Sequence, residues 1–265
     1  MNQPLLHLRP SDVTPALAAL FNPDDPTIAR LYGVLDGRAA GGIMANSSAQ
    51  PAWAVVREAG DGLLYLGGAI EAPLLRDAIA ALRADGDVCV GLWPDDPRRD
   101  LLPRDPDYAG RTFDFLHRRP DGDRLAGLAR RLSGGCHLRS IDRTLLERCA
   151  WRDQQIVRCG SLDGFFAHGL GYCVMRGDEI LSEAYAGPAA RGTMEIGIYT
   201  HPAHRGHGYA TAACAQTIAT CEARGYETFW NCNTSNLASA VLARKMGYGT
   251  EREYALAAWF KRAGA

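Results

Sequence analysis

Lysine is almost missing from this sequence: of its 29 basic residues only Lys245 and Lys261 are lysines. The rest are arginine, a skew that reads as genomic bias and carries no functional meaning. An excess of either charge is missing too, with 29 basic against 30 acidic residues and a formal net charge of -1 at pH 7. Without a basic surplus or a basic block, bulk electrostatics cannot hold nucleic acid or an anionic membrane, so neither partner is expected. No uninterrupted apolar stretch approaches the ~20 residues a membrane helix needs. Residues 1–7 place no charged segment ahead of an apolar run, so no secretory leader is expected. The eight cysteines, at 89, 136, 149, 159, 173, 214, 221 and 232, never adopt C-x-x-C spacing, which argues against a zinc ribbon. Reduced thiols and a cytoplasmic location are the expectation.

What is present is a chain of 265 residues, 47% hydrophobic, enough for one large domain or two smaller ones. In the first half, two apolar runs at 52–56 and 63–66 flank Ala59-Gly60-Asp61-Gly62 and read as paired strands. A helix follows, with Pro73 near its start, Leu75, Ile79 and Leu82 at helical spacing, and Gly86 at its stop. Residues 88–93 read as another strand, and 94–107, with four prolines and five aspartates, as a loop. A helical stretch at 124–132 ends at Ser133-Gly134-Gly135, the candidate domain boundary, beyond which Asp142 or Thr144 caps a short helix through Arg148.

The second half punctuates itself more clearly. Residues 171–175 and 179–184 flank Arg176-Gly177-Asp178, a hairpin. Residues 193–200 form a third strand that sets Met194, Ile196 and Ile198 on one face and Glu195, Gly197 and Tyr199 on the other. A helix runs from Tyr209 to Arg224 with Gly225 at its end, 227–232 is a fourth strand, and Ser235 or Asn236 caps a helix that stops at Gly247. Residues 248–260 supply the last strand or strands.

Between the third strand and the long helix lies His204-Arg205-Gly206-His207-Gly208-Tyr209-Ala210. Helix N-termini carry free amides and partial positive charge, which binds phosphate when the side chains there are small. Gly206, Gly208, Ala210 and Thr211 give that access, and Arg205 adds a permanent charge with a fork suited to phosphate oxygens. Glycines of this kind also serve simply to turn a chain, so the loop alone is a weak signal. Its neighbours strengthen it: the strand Glu195-Ile196-Gly197-Ile198 before it, Pro202 between, and the Asn-capped helix ending Met246-Gly247-Tyr248 after it.

With these parts in place the segment resembles the GNAT superfamily of acyl-CoA N-acyltransferases. The family's pyrophosphate motif, Arg/Gln-x-x-Gly-x-Gly/Ala, is matched by Arg205, Gly208 and Ala210, and its trailing Asn-x-x-Ala/Ser…Gly-Phe/Tyr by Asn236, Ser239, Gly247 and Tyr248. Trp230-Asn231-Cys232-Asn233 resembles one bacterial branch, which includes antibiotic self-resistance acetyltransferases. The resemblance covers about half the chain and implies an α+β fold: a GNAT-like, mostly antiparallel sheet splayed between two strands and flanked by helices. Residues 136–265 would be the acyltransferase domain. Residues 1–133 would be an additional N-terminal α+β domain, read here as a degenerate copy without the phosphate loop.

The same resemblance implies acetyl-CoA as cofactor, its pantetheine arm against Ile198, Tyr199 and Thr200. The amides of Arg205, Gly206, His207, Gly208, Tyr209, Ala210 and Thr211 would hold its pyrophosphate, with Asn236 beside the thioester. It implies transfer to a primary amine of a small molecule or peptide by direct attack in a ternary complex, and allows a homodimer. Catalysis needs a carboxylate to take a proton; Glu195 is the first candidate and Glu183 the second. The position where many relatives carry a tyrosine acid is Ala243, leaving Tyr199, Tyr209 or water for that task.

His201, His204 and His207 recur every three residues, but Arg205 and the glycines already have a coherent role there, and no metal is expected. Two rival readings stay open. A dinucleotide-dependent oxidoreductase is mimicked by Gly206, Gly208 and Glu227, though Thr211 replaces the third glycine and five residues separate strand from glycine. A non-catalytic acyl-CoA-binding module is the other.

Overall fold

The computed structural model describes residues 6–118, 121–132 and 134–262. Its fold is α+β, in two compact units: Met1–Thr112 with Glu253–Ala265, and Phe113–Arg252. The expected boundary at Gly134-Gly135 falls in a turn where both glycines take positive φ, and Ser133 lies outside the described residues.

In the first unit, β1 (Leu6–Leu8), β2 (Gly41–Ala45), β3 (Trp53–Glu58) and β4 (Leu64–Gly68) form an antiparallel sheet in that order. The short α1 (Pro15–Ala18) and α2 (Ile28–Leu35) precede β2, and α3 (Ala72–Leu82) links β4 to β5 (Val88–Leu92). Residues 53–56 are buried on both faces of the sheet. Val55, Leu64 and Leu66 pack with Leu75 and Ile79 of α3, while Ala54, Val56 and Ile43 pack with Leu31 and Val34 of α2. Between β4 and β5 the backbone link is one parallel bridge, Leu63 to Cys89. The loop expected at 94–107 contains a 3-10 turn, Pro97–Leu101, capped by Asp96.

The second unit begins within β6 (Tyr108–Arg118) and ends within β12 (Tyr248–Trp259). Between them run α4 (Gly122–Ala129), β7 (Cys136–Ser140), α5 (Arg143–Leu146), α6 (Arg152–Arg158), α7 (Leu162–His168), β8 (Leu170–Arg176) and β9 (Glu179–Ala186). They are followed by β10 (Thr193–Thr200), α8 (Tyr209–Ala223), β11 (Glu227–Asn233) and α9 (Leu237–Lys245). The strand order is β12-β6-β11-β10-β9-β8-β7. Strands β7 to β10 are antiparallel, whereas β10 and β11 run parallel. That parallel pairing covers Thr193 to Glu195 against Glu227 to Phe229. From Ile196 to Thr200, β10 pairs with β9 alone, so the sheet is splayed there.

Helices cover the two faces of this sheet. Met194 and Ile196 share a core with α8, which is buried on several sides through Ala212, Ala213, Cys214, Ala215, Ile218 and Cys221. Such small residues let the helix approach the strands closely, and α4 adds Leu125 and Leu128 to the same core. On the other face α5 and α7 pack Leu145, Leu146 and Phe165 against Cys173, Met175 and Tyr185. All eight cysteines are free thiols. Trp230 on β11 is 1% exposed, and its indole N–H donates to Ser239 Oγ at 3.0 Å. Truncating it leaves both a cavity and an orphaned hydroxyl, so Trp230→Ala should destabilise the protein by ~3–5 kcal/mol, read from urea unfolding midpoints.

Candidate active site

Pro202 ends β10, because it cannot donate to a ladder. The chain then turns through a short 3-10 segment, Pro202–His204, into the glycine loop. Gly206 and Gly208 take φ of +82° and +83°, a region that costs an L side chain ~1–2 kcal/mol, and nothing lies within 4 Å of where a Cβ would stand on either. Gly208 is the N-cap of α8, with no side-chain cap. Among the described residues, the amides of Gly206, His207, Gly208, Tyr209, Ala210 and Thr211 donate to no acceptor of the protein. Free donors gathered at the N-terminus of a 15-residue helix form an anion cradle.

The loop is tied at both sides. His204 Nε2 donates to Glu179 Oε1 at 2.9 Å, and His207 Nδ1 donates to the Arg205 carbonyl at 2.9 Å. Arg176 and His204 together hold the Glu179 carboxyl below its usual pKa. Arg205 is exposed, and its Nε reaches back to the Thr200 carbonyl at 3.3 Å. Lys245, from the end of α9, donates to Thr211 Oγ1 at 3.1 Å and so sets an ammonium beside the first turn of α8. The sequence reading passed over Lys245, whose only signal was its rarity. The His201 and His204 rings lie 5.6 Å apart, but His204 and His207 are engaged as described, His207 stacks on Tyr209, and the three do not bring their ring nitrogens into one metal-sized cluster among the described residues.

Ile198, Tyr199 and Thr200 form the open half of β10, paired to Ala184, Glu183 and Ser182 of β9. Ser182 Oγ lies 2.8 Å from Thr200 Oγ1 and donates to the Tyr199 carbonyl at 3.1 Å. Asn236 is exposed at the N-cap of α9, where its Oδ1 accepts from the Ser239 amide at 3.2 Å.

Glu195 is 8% exposed and sits where β10 and β11 part. Asn231, two residues beyond the last parallel pair on β11, crosses the gap and donates its Nδ2 to Glu195 Oε1. Arg158, from the C-terminal end of α6, brings Nη1 to 3.6 Å from Glu195 Oε2. A buried carboxylate is thereby aimed by an amide and faced by a guanidinium, the pairing that makes a buried charge tolerable. Neither helper was found from sequence: Asn231 was noticed only within a motif, and α6 was not read as a helix.

Glu183 is used differently. It is 1% exposed, and its two oxygens accept the amides of Ala150 (3.0 Å) and Trp151 (2.8 Å). Cys149 and Cys173 lie beside it, their sulfurs 3.7 Å apart, and the contact to Cys149, with burial, pushes the Cys173 thiol upward in pKa. The Cys136 thiol donates to the Tyr209 hydroxyl at 3.7 Å, whereas the Tyr199 hydroxyl has no hydrogen-bond partner among the described residues.

This geometry can be set against known proteins. An uncharacterised N-acetyltransferase of Bacillus subtilis strain 168, YdfB, is 32% identical over 96 residues, a match spanning 36% of this chain and 37% of that protein's length. A GCN5-related N-acetyltransferase-like protein of Streptococcus suis 89/1591 superposes with a TM-score of 0.64 at 23% identity, over 90% of this chain and 95% of the other. A tandem GNAT protein from the clavulanic acid biosynthesis pathway superposes with a TM-score of 0.56 at 13% identity, over 94% and 93%. The GNAT acetyltransferase family itself matches residues 29–257, and with a match of that extent the chain belongs to that family.

Proposed function

We propose that this chain is an acetyl-CoA-dependent N-acetyltransferase that moves the acetyl group to a primary amine by direct attack in a ternary complex. The observation that carries the reading is the run of free amides from Gly206 to Thr211, opening beside the unpaired edge of β10. The residues suit CoA: glycines that leave the cradle open, Arg205 and Lys245 for phosphate charge, and a splay that admits an extended pantetheine arm. Acetyl-CoA supplies the activated thioester. Glu195 takes the ammonium proton, directly or through one water, so that the amine is neutral when it attacks; the second proton, which the nitrogen loses once the N–C bond has formed, balances the one the departing thiolate gains. The departing thiolate needs a proton as the C–S bond breaks, and the unpartnered Tyr199 hydroxyl, on the face of β10 that carries Glu195, is better placed to give it than Tyr209.

The first unit reads as a degenerate copy of the same fold. Its four antiparallel strands, helix and parallel fifth strand repeat the order β7-β8-β9-β10, α8, β11, and its fourth and fifth strands are joined by the single bridge Leu63 to Cys89. The likeness in fold to a tandem GNAT protein supports this. In place of the loop, however, Gly68 leads within a few residues to a helix with Pro73 in its first turn. Beside β4 the carbonyl of Leu66 accepts from Arg98 Nη1 at 2.8 Å, and Arg98 is held by Asp25 and Asp96. A cofactor arm finds its backbone acceptor already taken.

Calorimetric titration should therefore give one equivalent of acetyl-CoA per chain. At 100-fold excess over Kd the ligand should add ~2.7 kcal/mol to stability, seen as a raised Tm. NAD(P) should leave the Tm unchanged; stabilisation by NAD(P) alone would return the oxidoreductase reading. Release of free CoA thiol with a panel of amines tests the chemistry, and tight binding without release from any amine would leave only a binding module.

A further inference from the structure

Strand alternation puts Glu195, Gly197 and Tyr199 on the face of β10 opposite α8, and the register sets Glu183 of β9 directly across from Tyr199 on that same face. One side chain lies over this row. The Trp151 ring is centred 5.7 Å from the Tyr199 ring at a 43° tilt, and its Cζ3 comes 3.5 Å from where a Gly197 Cβ would be. The indole thus rests on the strand where glycine leaves room for it. Both rings are half-buried, so each keeps part of its surface in contact with solvent.

Trp151 is fixed from below. It stands at the N-cap of α6, and the two main-chain amides at 150–151 both end on the Glu183 carboxylate. That carboxylate is 1% exposed, and no basic side chain is within ion-pair distance of it among the described residues. A buried charge held only by two amides is an expensive way to fasten a loop, since apolar packing often serves stability as well or better. What it gives instead is a defined position for residue 151. From there α6 runs seven residues, ~10 Å, to Arg158 at Glu195. One short helix therefore joins the aromatic pair to the proposed base.

Resting on the acyltransferase reading above, we propose that Trp151 and Tyr199 are the wall against which the acceptor lies, and that Glu183 is the positioning residue that sets it. The wall selects a primary amine carried on a flat, apolar stem, an arylalkylamine. The stem stacks on the indole, and the ammonium is drawn by the aromatic faces and by Glu195 until it loses its proton.

The full chain saturated with CoA is titrated with phenethylamine and with n-butylamine by calorimetry. Phenethylamine should bind about tenfold more tightly, a typical gain for one stacked ring. Trp151→Ala should bring the two amines to within about twofold of each other, Trp151→Phe should keep most of the preference, and both should bind acetyl-CoA as the wild type does. Glu183→Gln, which loses one acceptor for the two amides, should weaken phenethylamine by about threefold to tenfold. In turnover the loss should appear in the acceptor KM and not in kcat. No preference in the wild type, or one that survives Trp151→Ala, overturns the wall; unchanged amine binding in Glu183→Gln overturns its positioning role. A preference of the expected kind without any thiol release supports the wall and counts instead against acetyl transfer.

Discussion

Gly208→Trp abolishes acetyl-CoA binding and costs the fold little. Gly208 stands in open space at φ +83°, with the amides of Tyr209, Ala210 and Thr211 immediately after it. An indole there covers the donors that a pyrophosphate must reach. The backbone strain of an L side chain in this region is ~1–2 kcal/mol, which for a chain of this size lowers Tm by several degrees at most. Gly192 is the control. It has the same φ of +83° and the same open surroundings, but it precedes Thr193 at the far end of β10 from the loop. Gly192→Trp should therefore lose comparable stability and keep its acetyl-CoA affinity. In Gly208→Trp the Kd should rise at least about 100-fold, the scale expected when a phosphate's charge-assisted bonds are lost. Equal affinities in the two variants would show that the loop is only a turn.

That loop was legible because the features proposed to bind phosphate are local. Small residues, a proline and an arginine announce an open helix N-terminus without knowledge of anything distant. For the same reason the hairpin of β8 and β9 and the bounds of β10 and α8 could be read closely from turn residues and periodicity. The partners of Glu195 were hidden, since Arg158 is 37 positions away and Asn231 is 36 away. They meet Glu195 only because the sheet splays and α6 packs above it. Nor did α6 declare itself: it is seven residues long, polar, and starts without a side-chain cap. The path of β12, which leaves the second unit at Glu253 and pairs Ala255–Trp259 with β5, is a non-local pairing that no window of sequence contains. Glu183 was hidden in a different way. A carboxylate in a strand attracts a catalytic reading, and the two amides of Ala150 and Trp151 that it accepts, more than 30 positions away, are not visible in the sequence.

Glu195→Gln should lower kcat by about 10²–10³-fold, the usual worth of a positioned base, and change the acetyl-CoA Kd by no more than about twofold. The substitution is nearly isosteric, and the new carbonyl can still accept from Asn231. What it loses is the charge facing Arg158 and the capacity to hold a proton. Because the pair is loose at 3.6 Å and Arg158 keeps 13% exposure, the stability lost should be modest, ~1–3 kcal/mol. The loop amides and the Ile198–Thr200 edge are untouched, so cofactor binding has no reason to fall. The pH profile separates a base from a merely structural carboxylate. If Glu195 removes the ammonium proton, solvent does that work in the variant, and its rate should climb with pH toward the amine's own pKa while the wild type levels off earlier. A variant that loses rate by the same factor at every pH, or loses acetyl-CoA affinity in step with kcat, would take Glu195 out of the proton path and leave it as the clasp that holds β10 to β11 where they part.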